Sequence, residues 1–234
     1  MGKTQALRDG LDAVLAVALG ASCTACGRLL EHPTHGPVCD LCWRSIERLT
    51  PAVFGISPAV DHAQAIGPYD GALRSVIHAL KYEGRRSLAA PLGALMRNRC
   101  ALALDGADLV VPVPLHPRRR RERGFNQALD LTRKLGPPVC LALRRTRATV
   151  SQIELPADER RRNVRRAFGP SRLPWRTRPV DGRIVALVDD VSTTGATLDE
   201  CAKTLRAMGA REVRVVTAAR AVFTTTQRAI REQK

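Results

Sequence analysis

The chain has 234 residues, 44% hydrophobic and 26% charged, enough for one sizeable α/β domain with a small appendage. Aromatic residues make up 3%, so any core is aliphatic, and seven cysteines over this length argue against a disulfide scaffold. The 38 basic and 22 acidic residues leave a net charge of +16, which calls for anionic partners such as phosphorylated substrates, nucleic acid or an acidic membrane surface.

Charge is also concentrated. Between His116 and Arg178 there are 18 Arg or Lys and 5 Asp or Glu. No apolar run is long enough to span a membrane. Leu11–Leu19 is short, is interrupted by Asp12 and lacks a cleavage-site pattern, so a cytoplasmic protein is expected.

In chain order, residues 4–20 place Leu7, Leu11, Val14, Leu15, Ala18 and Leu19 at helical spacing, an amphipathic helix expected to pack on the main domain, with membrane attachment as the alternative. Two Cys-x-x-Cys pairs follow, Cys23/Cys26 and Cys39/Cys42, separated by twelve residues. Four thiolates at this spacing suit tetrahedral zinc, and a site closed by four protein ligands is structural rather than catalytic. Two coincidental pairs of reduced thiols are the alternative. His32 and His35 are expected to face solvent. Residues 1–50 thus form a helix and a four-cysteine zinc module, and 51–234 a second domain.

Residues 43–68 show little period and read as a linker with short strands. Gly71–Tyr82 reads as a helix stopped by Gly84, with a second helix capped by Ser87. Asp108–Leu115 reads as a core strand running into a turn, His116–Gly124, that holds five arginines in nine residues, with a helix from Phe125. Arginine suits bidentate phosphate contacts, and the carboxyl end of a parallel strand is where ligands bind in open α/β sheets; a solvated charged face is the alternative. Val139–Leu143 reads as another short strand. The polar, basic stretch 144–168 reads as a hood.

The most informative stretch is Arg183–Thr197. Ile184–Val188 reads as a buried parallel strand. Asp189 and Asp190 follow, then Ser192-Thr-Thr-Gly-Ala-Thr197, then a helix over Leu198–Met208 capped by Gly209 and a strand over Val213–Thr217. Strand, glycine turn and helix N-terminus make a phosphate cradle. Paired carboxylates would repel a bare phosphate, but they fit a sugar or a metal beside it; a plain helix cap is the alternative.

This segment resembles the PRPP-binding motif of type I phosphoribosyltransferases. The wider set of motifs resembles the ComF family: both Cys-x-x-Cys pairs, Leu80-Lys-Tyr-x-Gly84, Val111-Pro-Val-Pro-Leu115, Arg123-Gly-Phe-Asn-Gln127, Gln152, Arg160-x-x-Asn-Val164 and Val188–Thr197. The resemblance implies an α/β fold of the type I phosphoribosyltransferase kind, a parallel sheet with flanking helices. It also implies PRPP as substrate, magnesium accompanying it, and Asp189 and Asp190 as catalytic residues on the ribose. Ser192, Thr193, Thr194, Gly195, Ala196 and Thr197 are expected to take the 5′-phosphate. Lys81, Leu115, His116, Arg123, Gln152, Arg160 and Asn163 are expected to take the pyrophosphate or form the hood. By the same resemblance, the setting is competence and DNA uptake or nucleotide metabolism, with an unknown acceptor. The other readings are a single-stranded-DNA-binding module and a PRPP sensor without turnover.

Overall fold

The computed structural model describes residues 12, 20–146, 167–171 and 179–221. Its centre is a five-stranded sheet in the order β1(Ala52–Val53)–β2(His62–Pro68)–β7(Glu212–Arg220)–β6(Ile184–Ser192)–β3(Leu109–Pro112). The four strands from β2 to β3 are mutually parallel, and only β1 runs antiparallel, on the edge. A hairpin of β4 (Leu143–Arg145) and β5 (Phe168–Pro170) stands beside it.

Helices cover both faces, as a parallel sheet demands. On one face lie α2 (Gly71–Tyr82), α3 (Ala89–Arg99) and α6 (Gln127–Thr132), whose Ile77, Leu80, Leu92, Met96 and Leu131 are fully buried. On the other lies α7 (Ala196–Ala207), packed through Leu198, Cys201 and Leu205 against Val185, Leu187, Val213 and Val215. Two further short helices are α4 (Ala101–Leu104) and α5 (Pro117–Arg123), and α1 (Asp40–Glu47) belongs to the cysteine segment.

Several expectations change. Residues 43–68 are no linker: Asp40–Glu47 is helical, and β2 is an interior strand buried over Ala63–Gly67. Its small residues hid it, because Ala-Gln-Ala has no β-branched signature. The arginine run is not a turn but the helix α5, closed by Gly124 at φ +75°. Ser87 is not a cap; it lies in a 3-10 turn, Arg86–Leu88, that leads into α3. β3 stops at Pro112 rather than Leu115. Val139 makes only an isolated bridge to Val110, and the neighbouring strand starts at Leu143. β6 runs through both aspartates to Ser192. The helix after the loop begins at Ala196, not Leu198.

The expected helix 4–20 lies outside the described residues except for Asp12, whose carboxylate accepts from the Thr34 backbone N–H at 2.7 Å and the Thr34 hydroxyl at 3.0 Å. Among the described residues, no helix is long and apolar enough to cross a membrane.

Candidate functional site

Adjacent residues of a strand point to opposite faces, and this separates the two carboxylates. Asp190 is 4% exposed and faces α2 and α6. There its Oδ1 meets the Lys81 ammonium at 2.7 Å, and its Oδ2 accepts from Gln127 Nε2 at 2.8 Å. Burial alone would lower the Lys81 pKa; the charge and hydrogen bond of Asp190 outweigh it and raise it. Lys81 is therefore cationic throughout the neutral range.

Asp189 faces the α7 side. Burial and repulsion from Asp190 push its pKa up to about 7, against the pull of Lys81, of the Asp190 backbone N–H (2.9 Å from Asp189 Oδ1) and of Arg145. Arg145, on β4, stacks 5.3 Å from the Phe168 ring centre. The pair is thus one locked carboxylate and one whose charge is poised near neutrality.

Beyond them the chain turns through the cradle. Thr194 Oγ1 accepts from the Ala196 N–H at 3.4 Å, and Gly195 adopts φ +78°, which an L side chain resists. A Cβ on Gly195 would come within 3.0 Å of Ile56 Cγ2, so Ile56 closes directly over the loop. The twelve-residue α7 starts here, with its N–H groups at the loop. Ser192 is 1% exposed, and its hydroxyl accepts from Arg220 at 2.7 Å.

Of the residues grouped for pyrophosphate, Lys81, Leu115, His116 and Arg123 are among the described residues. Lys81 is on Asp190, as described. His116 caps α5, its Nδ1 accepting from the Arg118 N–H at 3.2 Å, and Leu115 precedes it in the connecting turn. Arg123 lies 5.0 Å over the Tyr82 ring. Gln152, Arg160 and Asn163, with most of the 144–168 hood, lie outside the described residues. Gln127, Arg145 and Arg220 are the neighbours that sequence reasoning left unassigned. Gln127 comes in on α6, Arg145 on β4 and Arg220 at the end of β7.

The four cysteines come together. Their sulfurs lie within 4.8 Å of one another, with Cys26 and Cys39 Sγ 3.8 Å apart. Zinc–sulfur bonds of about 2.3 Å put tetrahedral sulfurs about 3.8 Å apart, so the cluster fits the ion. Burial raises the Cys23 pKa, but N–H groups of Cys39, Cys26 and Ala25 outweigh it and bring it down to about 6, whereas burial and the neighbouring thiols hold Cys39 and Cys42 above the usual thiol range. His32 and His35 are exposed and stack on each other at 5.0 Å. The module is not detached from the domain: Cys23, Leu30, Val38 and Ile46 belong to the same apolar cluster as α2.

A parallel α/β sheet with this loop at its carboxyl edge defines a phosphoribosyltransferase-type domain, and the family model for the phosphoribosyl transferase domain matches residues 122–229. The chain is 36% identical over 203 residues to the DNA utilization protein YhgH of Escherichia coli K12, covering 82% of this chain and 81% of that protein. It is 32% identical over 213 residues to competence protein F of Haemophilus influenzae, covering 85% and 84%. It is 24% identical over 193 residues to competence protein ComFC of Bacillus subtilis, covering 81% and 73%. The chain belongs to the ComF family.

Proposed function

We propose that this protein binds PRPP and transfers its phosphoribosyl group to an acceptor, in the setting of DNA uptake that its relatives' names suggest. One observation carries the reading: the Ser192–Thr197 loop joins a buried strand to a helix N-terminus, with Asp189 at its entrance. Such a loop suits a phosphate, and a carboxyl at its entrance suits ribose hydroxyls. Asp190, engaged by Lys81 and Gln127, positions Asp189 rather than touching the sugar.

In the transfer, the acceptor's electron pair forms the new bond to the anomeric carbon as the bond to pyrophosphate breaks, and the diphosphate leaves with that pair. Positive charge develops on the ribose, and Asp189, when ionised, stabilises it. Magnesium would come bound to the diphosphate rather than to an all-protein cage, and would supply neutralisation of the leaving group's charge. Titration of PRPP with magnesium, followed by a pyrophosphate-release assay with bases, nucleotides and DNA, tests this reading. Tight binding by wild type that is lost in Asp189→Ala supports it; equal binding by both, or none, refutes it. Binding without release under every acceptor indicates a PRPP sensor.

The arginine run supports a second reading, single-stranded DNA binding. Arg118, Arg120 and Arg121 are exposed on α5, where they can follow a phosphate backbone. The faces of Phe54, Tyr82, Phe125 and Phe168 already carry arginines, which disfavours base stacking. DNA binding across a salt series, with and without PRPP, distinguishes the two sites. Competition means a shared anion site.

A further inference from the structure

Arg220 is the last residue of β7, and the register of the sheet sets it beside Ser192, the last residue of β6. Its Nη1 donates to the Ser192 hydroxyl at 2.7 Å, and its guanidinium carbon lies 4.4 Å from the Phe54 ring centre. Its own backbone is fixed as well, because the Arg220 carbonyl accepts from the Tyr69 N–H and the Ser192 carbonyl accepts from the Ala221 N–H, each at 2.8 Å.

On the same strand, and on the helix packed against it, two partly buried arginines have carboxylate partners: Arg214 pairs with Glu212 and Arg206 with Asp61. Arg220 has none among the described residues. Burial lowers its pKa, and no neighbouring acid opposes that shift. Half-burying a cation without a counter-charge costs free energy, unless an anion arrives to complete the pair. The place where one would arrive is adjacent. The chain segment that supplies Phe54 to Arg220 also supplies Ile56 to Gly195, so arginine and cradle share one wall.

We propose that Arg220 is the charged anchor of the Ser192–Thr197 loop, binding a phosphate monoester, namely the 5′-phosphate of a phosphoribosyl ligand. This rests on the PRPP reading above and adds a cation to the cradle. Stacking on Phe54 and the bond to Ser192 hold the guanidinium plane before the ligand comes, leaving other N–H groups for phosphate oxygens with little ordering left to do. Ser192, buried and already accepting from Arg220, orients the arginine.

The test is calorimetric titration of ribose 5-phosphate, PRPP and free pyrophosphate into wild type, Arg220→Met and Arg220→Lys, with thermal unfolding of each protein alone. Arg220→Met is expected to bind ribose 5-phosphate and PRPP about 10- to 100-fold more weakly, since a hydrogen-bonded charge is lost. Its affinity for pyrophosphate should stay the same. Its unliganded unfolding temperature should hold within about 2 °C, because an uncompensated charge has gone. Arg220→Lys should fall between the two and carries the test if the methionine variant does not fold. Ribose 5-phosphate binding within about twofold of wild type in either folded variant overturns the anchor but leaves the PRPP reading standing. A large fall in unliganded stability with ligand affinity retained identifies a purely structural brace and overturns it too. Wild type that binds neither phosphorylated sugar overturns both.

Discussion

Replacing Lys81 by methionine keeps the aliphatic stem and deletes the charge that faces Asp190. The two side chains are 14% and 5% exposed and 2.7 Å apart, so Asp190 would be left buried with only the Gln127 amide. Breaking one side of a buried pair costs about 3–5 kcal/mol, and the surviving hydrogen bond, worth about 1.5–3 kcal/mol to a charged group, sets the loss toward the lower end. Across the neutral range the Lys81 charge does not change. Lys81 has a raised pKa, so its contribution is complete below the unfolded lysine value and fades only in strong alkali. In the variant the penalty falls on the carboxylate left without its cation. Urea unfolding of wild type, Lys81→Met and Lys81→Met/Asp190→Asn at neutral pH measures this. The added Asp190→Asn should restore about half the loss or more, since the orphaned charge is gone. A Lys81→Met loss below about 1 kcal/mol, or no recovery on adding Asp190→Asn, would refute a buried, locked Asp190.

Asp189→Asn should stabilise the unliganded protein increasingly as pH rises from 4 to 7. A carboxyl raised to about 7 binds its proton more tightly folded than unfolded, so its penalty is absent in acid and complete above pH 7. A gain on the order of 3 kcal/mol at pH 8, read by urea unfolding, is expected, together with lost PRPP binding. Gly93→Ala should destabilise by about 1–3 kcal/mol despite alanine's better helix propensity. Its Cβ would stand 2.7 Å from the Leu131 carbonyl oxygen, where α3 meets α6, and thermal unfolding reads the cost. Metal analysis of protein purified without added zinc should find one zinc per chain. Cys39→Ser should lose it and expose Trp43, which packs against the same apolar cluster, to quenchers.

The legible parts of the sequence were those where one short stretch specifies its own geometry. Cys23-Thr-Ala-Cys26 and Cys39-Asp-Leu-Cys42 announce four convergent sulfurs, and Gly195, between a strand and a helix, announces the bend of the loop. Ile184–Val188 and the Leu73/Ile77/Leu80 stripe declare a buried strand and a buried helix face through their period. Three things were hidden, each for a physical reason. Ala63-Gln-Ala-Ile66 looks featureless because an interior strand flanked on both faces by close-packed helices can be built from small residues. Arg118–Arg123 looks like a turn because nothing in it is apolar, yet a proline at N1 and a glycine at the end make it a helix. The different fates of Asp189 and Asp190 depend on which helices lie over each face of β6, and that is a property of the whole sheet.

The strand order has a consequence for the way the molecule is made. β2 lies near the start of the domain, but its parallel neighbour β7 comes last, so position 62 must find position 214. Contacts this distant in sequence close late and slowly, and during synthesis the first half of the sheet emerges with its edge unpaired. The cysteine module, which closes over about twenty residues, needs no such wait. It can assemble on its metal while the rest of the chain is still being made, and offer Ile46 and Leu30 as a first surface on which α2 condenses.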